Sequence, residues 1–289
     1  MKVIVTGADG QVGRSLSRTV PATVQLLAFA HADLDITNSR AVLDRVSTSR
    51  PDLIINAAAY TAVDRAESDT ELVYRVNSQA VEYLTGAANK IGARFMQLST
   101  DFVFDGIKSR PYQPDDTTNP VNVYGLSKRD GELKALTLTG GNAVVLRTAW
   151  IYSEGNDNFV AAIMRAADGQ EPLRVVCDQV GTPTSAMSVA EAIWRIAEMP
   201  QLRGVLHWTD AGVASRYDFA VAIMEECWQR RVIPNQINVV PIYSTDFPTA
   251  AKRPAYCVLD LRNSIRQLKL QPRHWRSCLR KMLDEKVDV

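Results

Sequence analysis

Apolar and polar positions along the first 150 residues follow two periods. Short aliphatic runs at residues 2–6, 25–29, 52–56, 94–99 and 143–147 read as buried strands. Between them, apolar residues recur every three or four positions. This spacing predicts a helix over 38–49 behind the cap-like Asp35-Ile36-Thr37, and another starting near residue 123. A longer helix is predicted over 69–91, with Leu72, Val76, Ala80, Leu84 and Ala87 on its inner face. Strands alternating with helices of this length imply a parallel sheet covered on both faces, and right-handed crossovers make it doubly wound. In such sheets ligands gather at the carboxyl ends of the strands, where Gly7, Ala57, residues 99–101 and residues 148–150 fall.

Beyond Trp150 the regularity weakens, because prolines from Pro172 to Pro272 cut the chain into short pieces. Residues 158–168, 188–198, 215–231 and 275–285 read as helices and 205–208 as a strand. The expectation is an α/β protein whose second part is a smaller mixed α/β lobe facing a ligand.

At 289 residues and 46% hydrophobic content, the chain can bury a large core. The 33 Lys and Arg against 32 Asp and Glu leave a net charge of +1, which gives no bulk electrostatic case for nucleic acid or a membrane surface and points to a small-molecule partner. Cys177, Cys227, Cys257 and Cys278 are scattered with no CxxC spacing, and no secretory signal or 20-residue apolar span is visible, so a cytoplasmic setting is expected. His31, His207 and His274 lie too far apart in sequence for a local metal motif, and no metal is expected.

The first strand turns through Gly7-Ala8-Asp9-Gly10-Gln11-Val12-Gly13 into a helix-compatible stretch. Glycines three apart after a β-branched run form a cradle for a dinucleotide pyrophosphate: Gly7 for the turn, Gly10 for close backbone approach, Gly13 for close helix packing. The second strand ends in Phe29-Ala30-His31 with no carboxylate until Asp33. An acid at that position selects the 2′-hydroxyl of NAD, so its absence, with His31 or Arg14 nearby, favours NADPH without barring NADH. Asp35 and Ile36 would then lie near the adenine. Asn56-Ala57-Ala58-Ala59 is small enough to admit a flat ligand. Tyr124 and Lys128 stand one helical turn apart, a proton donor beside a cation, and the ammonium favours the phenolate form of the tyrosine. With Ser99-Thr100 at the end of the fourth strand, the set suits reduction of a carbonyl.

These blocks resemble the extended short-chain dehydrogenase/reductases and, within them, the dTDP-4-dehydrorhamnose reductases. The resemblance spans almost the whole chain. It includes the glycine turn, residues 56–67, 99–106 and 122–128, Arg147-Thr148-Ala149-Trp150-Ile151-Tyr152, Asp178-Gln179-Val180-Gly181-Thr182-Pro183-Thr184 and Arg253-Pro254. It implies a Rossmann-like NAD(P)-binding domain of residues 1–150 and 180–212, with 151–179 and 213–289 forming the substrate-binding lobe. It further implies that Tyr124 protonates the C4 oxygen of a dTDP-sugar, that Lys128 holds the nicotinamide ribose, and that Thr100 bonds the reacting carbonyl. Gly7, Asp9, Gly10, Gln11, Val12, Gly13 and Ala57 to Ala59, Ala58 included, would line the cofactor. Thr61, Val63, Asp101, Phe102 and Trp150 would meet the sugar or base, and Arg253 the diphosphate.

Two departures limit the transfer. Ser15 follows Arg14 where some relatives place acids for a magnesium-bridged dimer, so neither metal nor that dimer is carried over, and monomer and homodimer stay open. Cys257 stands where serine is frequent. Phe102 directly after Thr-Asp disfavours a dehydratase, in which an acid occupies that place. A reductase making another dTDP-6-deoxysugar, such as 6-deoxy-L-talose, and a non-catalytic NADP-binding regulatory subunit are the remaining alternatives.

Overall fold

The computed structural model describes residues 1–155, 158–167, 169 and 172–287. Six parallel strands form the central sheet: β1 (Lys2–Thr6), β2 (Gln25–Phe29), β3 (Leu53–Asn56), β4 (Arg94–Thr100), β5 (Val144–Thr148) and the Gly204–His207 strand. Their spatial order is Gly204–His207, β5, β4, β3, β1, β2. The chain leaves β1 toward one edge through β2 and returns to place β3 on the other side of β1. A crevice opens at that reversal, above the ends of β1 and β3.

Central strands buried on both faces read as unbroken apolar runs, and Val3, Ile4, Val5, Leu53, Ile54 and Ile55 are almost fully inaccessible. Each contributes roughly 1.5–3 kcal/mol by leaving water. On one face, Val3, Val5 and Ile55 pack with Leu16 of helix α1 (Gln11–Arg18) and with Val189, Ile193 and Ile196 of the Ala186–Ala197 helix. On the other, Ile4, Ile54 and Phe95 pack with Val42 and Val46 of helix α2 (Ser39–Ser49) and with Leu84 and Ala88 of the Ala80–Ile91 helix.

The smaller lobe has its own core, built on Phe219, Ile223, Trp275 and Leu279 from the Arg216–Gln229 and Trp275–Val287 helices. Three two-stranded pairings brace it: Ile151–Tyr152 with Thr184–Ser185, Leu173–Val176 with Val239–Ile242, and Val180–Gly181 with Ala214–Ser215. Asp168, the last residue of the helix expected over 158–168, lies outside the described residues; the helix itself runs Phe159–Ala166.

Two local expectations are corrected. The cap of α2 is Asn38, whose side chain accepts from the Ala41 N–H, while Asp35 instead closes a turn on Thr37. The long helix over 69–91 is interrupted by a π turn at Arg75–Gln79, between Thr70–Tyr74 and Ala80–Ile91. A π turn inserts one residue and rotates what precedes it by about 100°. Leu72 is therefore exposed, while Ala80, Leu84 and Ala87 keep the inner face.

Candidate active site

The crevice holds a cavity of about 500 Å³. Gly7, with φ of +71°, makes the turn after β1, and a Cβ there would lie 2.7 Å from the backbone of Ala58. At Gly13 a Cβ would come within 2.1 Å of the Gly7 carbonyl oxygen, so the glycine spacing sets how closely α1 approaches the sheet. Gly10 caps α1 with no side-chain bond, and the first turn carries no acid. The positive end of the helix is thus left for an anion. Gly7, Asp9, Gly10, Gln11 and Val12 line the cavity, as do His31, Asp35, Ile36 and Ala57 to Ala59; Gly13 is packed beneath them. Asp33 is turned away, its carboxylate accepting from the Ala30 N–H at 3.0 Å. Under the cavity, Thr6 donates to Asn56 at 2.7 Å and Asn56 to Gln97 at 2.9 Å, a buried polar row across β1, β3 and β4.

Thr61, Ser99, Tyr124 and Lys128 complete the wall. Asn122 caps the Val123–Leu138 helix by accepting from the Gly125 N–H at 2.7 Å. The missing side chain of Gly125 lets that helix press on the turn after β4, since a Cβ would sit 2.2 Å from the Phe102 carbonyl oxygen. Tyr124 thereby meets the Phe102 ring edge-on at 5.8 Å. Lys128 is buried, and its ammonium donates to the Leu98 carbonyl at 2.7 Å.

Burial pushes the Tyr124 phenol up to about 12, with hydrogen bonding to Thr100 opposing it and the Asp101 charge adding to it. This corrects the sequence reading: desolvation outweighs any help the neighbouring ammonium gives the phenolate. Burial also draws the Lys128 ammonium down to about 8, against the pull of Glu132. Thr100 donates to Asp101 at 3.0 Å and accepts from the Phe102 N–H. Asp101 is pushed up to about 7 by burial. Ser99 Oγ, Asp101 Oδ2 and Thr148 Oγ1 are buried with no hydrogen-bond partner among the described residues, three unspent polar atoms at the ends of β4 and β5.

Thr100, Asp101 and Phe102, in the turn after β4, and Val63, Trp150 and Arg253 do not line the cavity. Val63 opens the short Val63–Ala66 helix, and the next residue, Asp64, receives the Arg253 guanidinium at 2.6 Å. Trp150 is held at φ +46° beneath the guanidinium of Arg216, 3.6 Å from its ring.

Three residues at the site escaped the sequence reading. Asn77, inside the π turn, bonds both the N–H and the carbonyl of Tyr60 and also Ser127, tying the cavity wall to the Val123–Leu138 helix. Glu132 stands one turn beyond Lys128 and grips Arg147 of β5 through two bonds of 2.9 and 2.7 Å. Arg216 was visible only as a cation opening a predicted helix, where the helix dipole disfavours it.

A second cavity of about 470 Å³, between α1, the Ala186–Ala197 helix and the C-terminal helix, contains none of the sequence-predicted site residues. Among the described residues no group of three or more His, Cys, Asp or Glu is placed to hold a metal, and no helix is long and apolar enough to cross a membrane.

The family model described as the RmlD substrate binding domain matches residues 1–287. The chain belongs to this family. A dTDP-4-dehydrorhamnose reductase of Aggregatibacter actinomycetemcomitans is 39% identical over 286 residues, covering 96% of this chain and 97% of the relative. The spore coat polysaccharide biosynthesis protein SpsK of Bacillus subtilis is 36% identical, covering 99% and 98%. The crystal structure of a dTDP-4-dehydrorhamnose reductase from Bacillus anthracis in complex with NADP superposes with a TM-score of 0.91 at 32% identity, covering 98% of this chain and 99% of the other.

Proposed function

We propose that this chain reduces the C4 keto group of dTDP-4-dehydro-6-deoxy-L-mannose to give dTDP-L-rhamnose, using NADPH, in the cytoplasm and for cell-surface polysaccharide. The observation that carries it is Tyr124 and Lys128 on the wall of a glycine-turned cavity, with the Thr100 hydroxyl hydrogen-bonded to the Tyr124 phenol just behind that wall, in a chain whose relatives carry that reductase name. The residues present fit the cofactor: the uncapped N-terminus of α1 opens on the cavity for a pyrophosphate, and after β2 the Asp33 carboxylate is spent on the Ala30 N–H while Arg14 and His31 line the cavity. When bound, NADPH supplies the hydride for C4.

The protein's own share is proton and orientation chemistry. Tyr124, neutral at physiological pH because its phenol sits near 12, holds on Oη the proton that the C4 oxygen receives. The Thr100 hydroxyl, adjacent to that phenol, orients the carbonyl oxygen, and Asp101 positions Thr100. Lys128, fixed on the Leu98 carbonyl, presents its remaining donors to the ribose and supplies positive charge beside the developing oxyanion. The site works as a monomer or a homodimer, since every residue named comes from one chain.

The test is nicotinamide oxidation by the purified chain with dTDP-4-keto-6-deoxyglucose and its 3,5-epimerase. Epimerase-dependent oxidation is expected, with Tyr124→Phe lowering kcat by about 10²- to 10⁴-fold while leaving NADPH binding intact. Tight NADPH binding without substrate-dependent oxidation would replace the reductase with a binding subunit.

A further inference from the structure

Two charged residues of the smaller lobe flank the ends of β4 and β5, and only one of them is neutralised. Arg253 is paired with Asp64 at 2.6 Å. Arg216 has no carboxylate within salt-bridge distance among the described residues, although Arg253 and Asp101 both act on it electrostatically. Its guanidinium lies over the Trp150 ring, 3.6 Å from the ring centre, with the Phe159 ring centre at 5.2 Å. A guanidinium held over a ring face spends none of its N–H donors on that contact.

The placement breaks three local rules. Arg216 is the first residue of the Arg216–Gln229 helix, where the dipole repels a cation, and the acid of that turn, Asp218, is spent on capping Ser215. Trp150 holds a left-handed backbone conformation that costs a tryptophan about 1–2 kcal/mol. Asp101, 2% exposed, keeps one carboxylate oxygen without a partner beside this cation. Local violations that converge on one point mark a site built for a ligand.

We infer that Arg216, held on the Trp150 ring, is a specificity-determining residue that receives a phosphate oxygen of the nucleoside diphosphate sugar. The inference rests on the reductase reading above and deepens it. Arg216 is within electrostatic reach both of Arg253, which carries the diphosphate expectation, and of Asp101, which adjoins the proton donor. The charge balance leaves room for an anion: against two arginines stand Asp64, which is already committed to Arg253, and Asp101, whose carboxyl burial pushes up to about 7. An incoming phosphate supplies the counter-charge that Arg216 lacks, and its bonds are charge-assisted.

The experiment is calorimetric titration of dTDP, thymidine, pyrophosphate and NADPH into the wild-type chain, Arg216→Met and Arg216→Lys. The expected result is a loss of dTDP affinity of about 10- to 100-fold in Arg216→Met, partly recovered in Arg216→Lys, with thymidine and NADPH binding unchanged. Pyrophosphate alone losing affinity in parallel with dTDP supports the phosphate contact. Pyrophosphate unaffected while dTDP and thymidine weaken together overturns it in favour of a base contact. Equal dTDP affinity in all three chains, with wild-type turnover intact, overturns the inference and leaves the reductase reading standing. A wild-type chain that neither binds dTDP nor oxidises NADPH with the keto sugar overturns both.

Discussion

At the scale of single residues, the site is distinguished by where it places ionisable groups out of water. Asp101 illustrates the cost. Its carboxyl is pushed up to about 7 by burial, with Thr100 bonding and the Arg216 charge acting the other way. Its ordinary value of 3.8 applies to the unfolded chain. Below pH ~4 the residue is neutral in both states and costs nothing by ionisation. Between pH ~4 and ~7 the unfolded chain ionises while the folded one holds its proton, so stability is lost as pH rises, at up to about 1.4 kcal/mol per unit, and levels off above. Asp101→Asn cannot ionise in either state. Its stability relative to wild type is expected to climb across that window in urea melts taken at several pH values, and a flat difference would show that Asp101 is not the group responsible. Lys128 makes the matching case for activity. With the ammonium down at about 8 and the phenol up at about 12, the alkaline fall in kcat/KM belongs to the lysine. A single-proton decline near pH 8 is expected, and a limb appearing only above pH 10 would assign it to Tyr124.

At the scale of elements, the geometry of the proposed catalytic residues is set by how one helix is pinned. The Val123–Leu138 helix carries Tyr124, Lys128 and Glu132 on one face, one turn apart. Its outer end is fixed by the Glu132–Arg147 fork, whose side chains are 4% and 5% exposed, and its inner end by Asn77 through Ser127. Removing one partner of a buried fork leaves an uncompensated charge, so Glu132→Ala is expected to destabilise the fold by about 3–5 kcal/mol in denaturant melts. The double variant Glu132→Leu/Arg147→Met should recover much of that, because it removes both charges together. The contrast between these elements explains what the sequence discloses. Glycine turns, helix caps and the Tyr124–Lys128 spacing are local, and their chemistry is readable from a few adjacent residues. The fork joins positions 15 apart and Asn77 joins positions 50 apart, so no window of sequence contains both partners. The π turn hides for a related reason: its residues still satisfy a helical apolar pattern to within one position, and only Leu72, facing outward, betrays the shift.

At the scale of the whole molecule, the cavity is assembled from the carboxyl ends of strands far apart in sequence. Residues 7–14, 31–37, 57–61, 98–99 and 124–128 meet only because the strand order reverses beside β1. That reversal makes the sheet's location of the cavity legible in advance, since the alternation of strands and helices already puts ligands at the strand ends. The far side was less legible, because Arg216, Trp150 and Arg253 come from segments whose mutual approach depends on three two-stranded braces too short to carry a pattern. A ligand that contacts this many separate segments binds the folded chain alone, and its free energy adds to global stability. At 100 times its Kd, NADPH should add about 2.7 kcal/mol, several degrees in Tm for a chain of this size. The 2′-phosphate is the lever that separates the two nicotinamides. Asp33 is committed to the Ala30 N–H, while Arg14 and the exposed His31 line the cavity. NADPH should therefore raise Tm more than NADH does at equal concentration. His31→Glu places a carboxylate against the phosphate, and the NADPH shift should shrink while the NADH shift holds or grows. If both shifts survive the substitution unchanged, the 2′-phosphate does not sit at the end of β2, and the preference for NADPH must come from Arg14 alone.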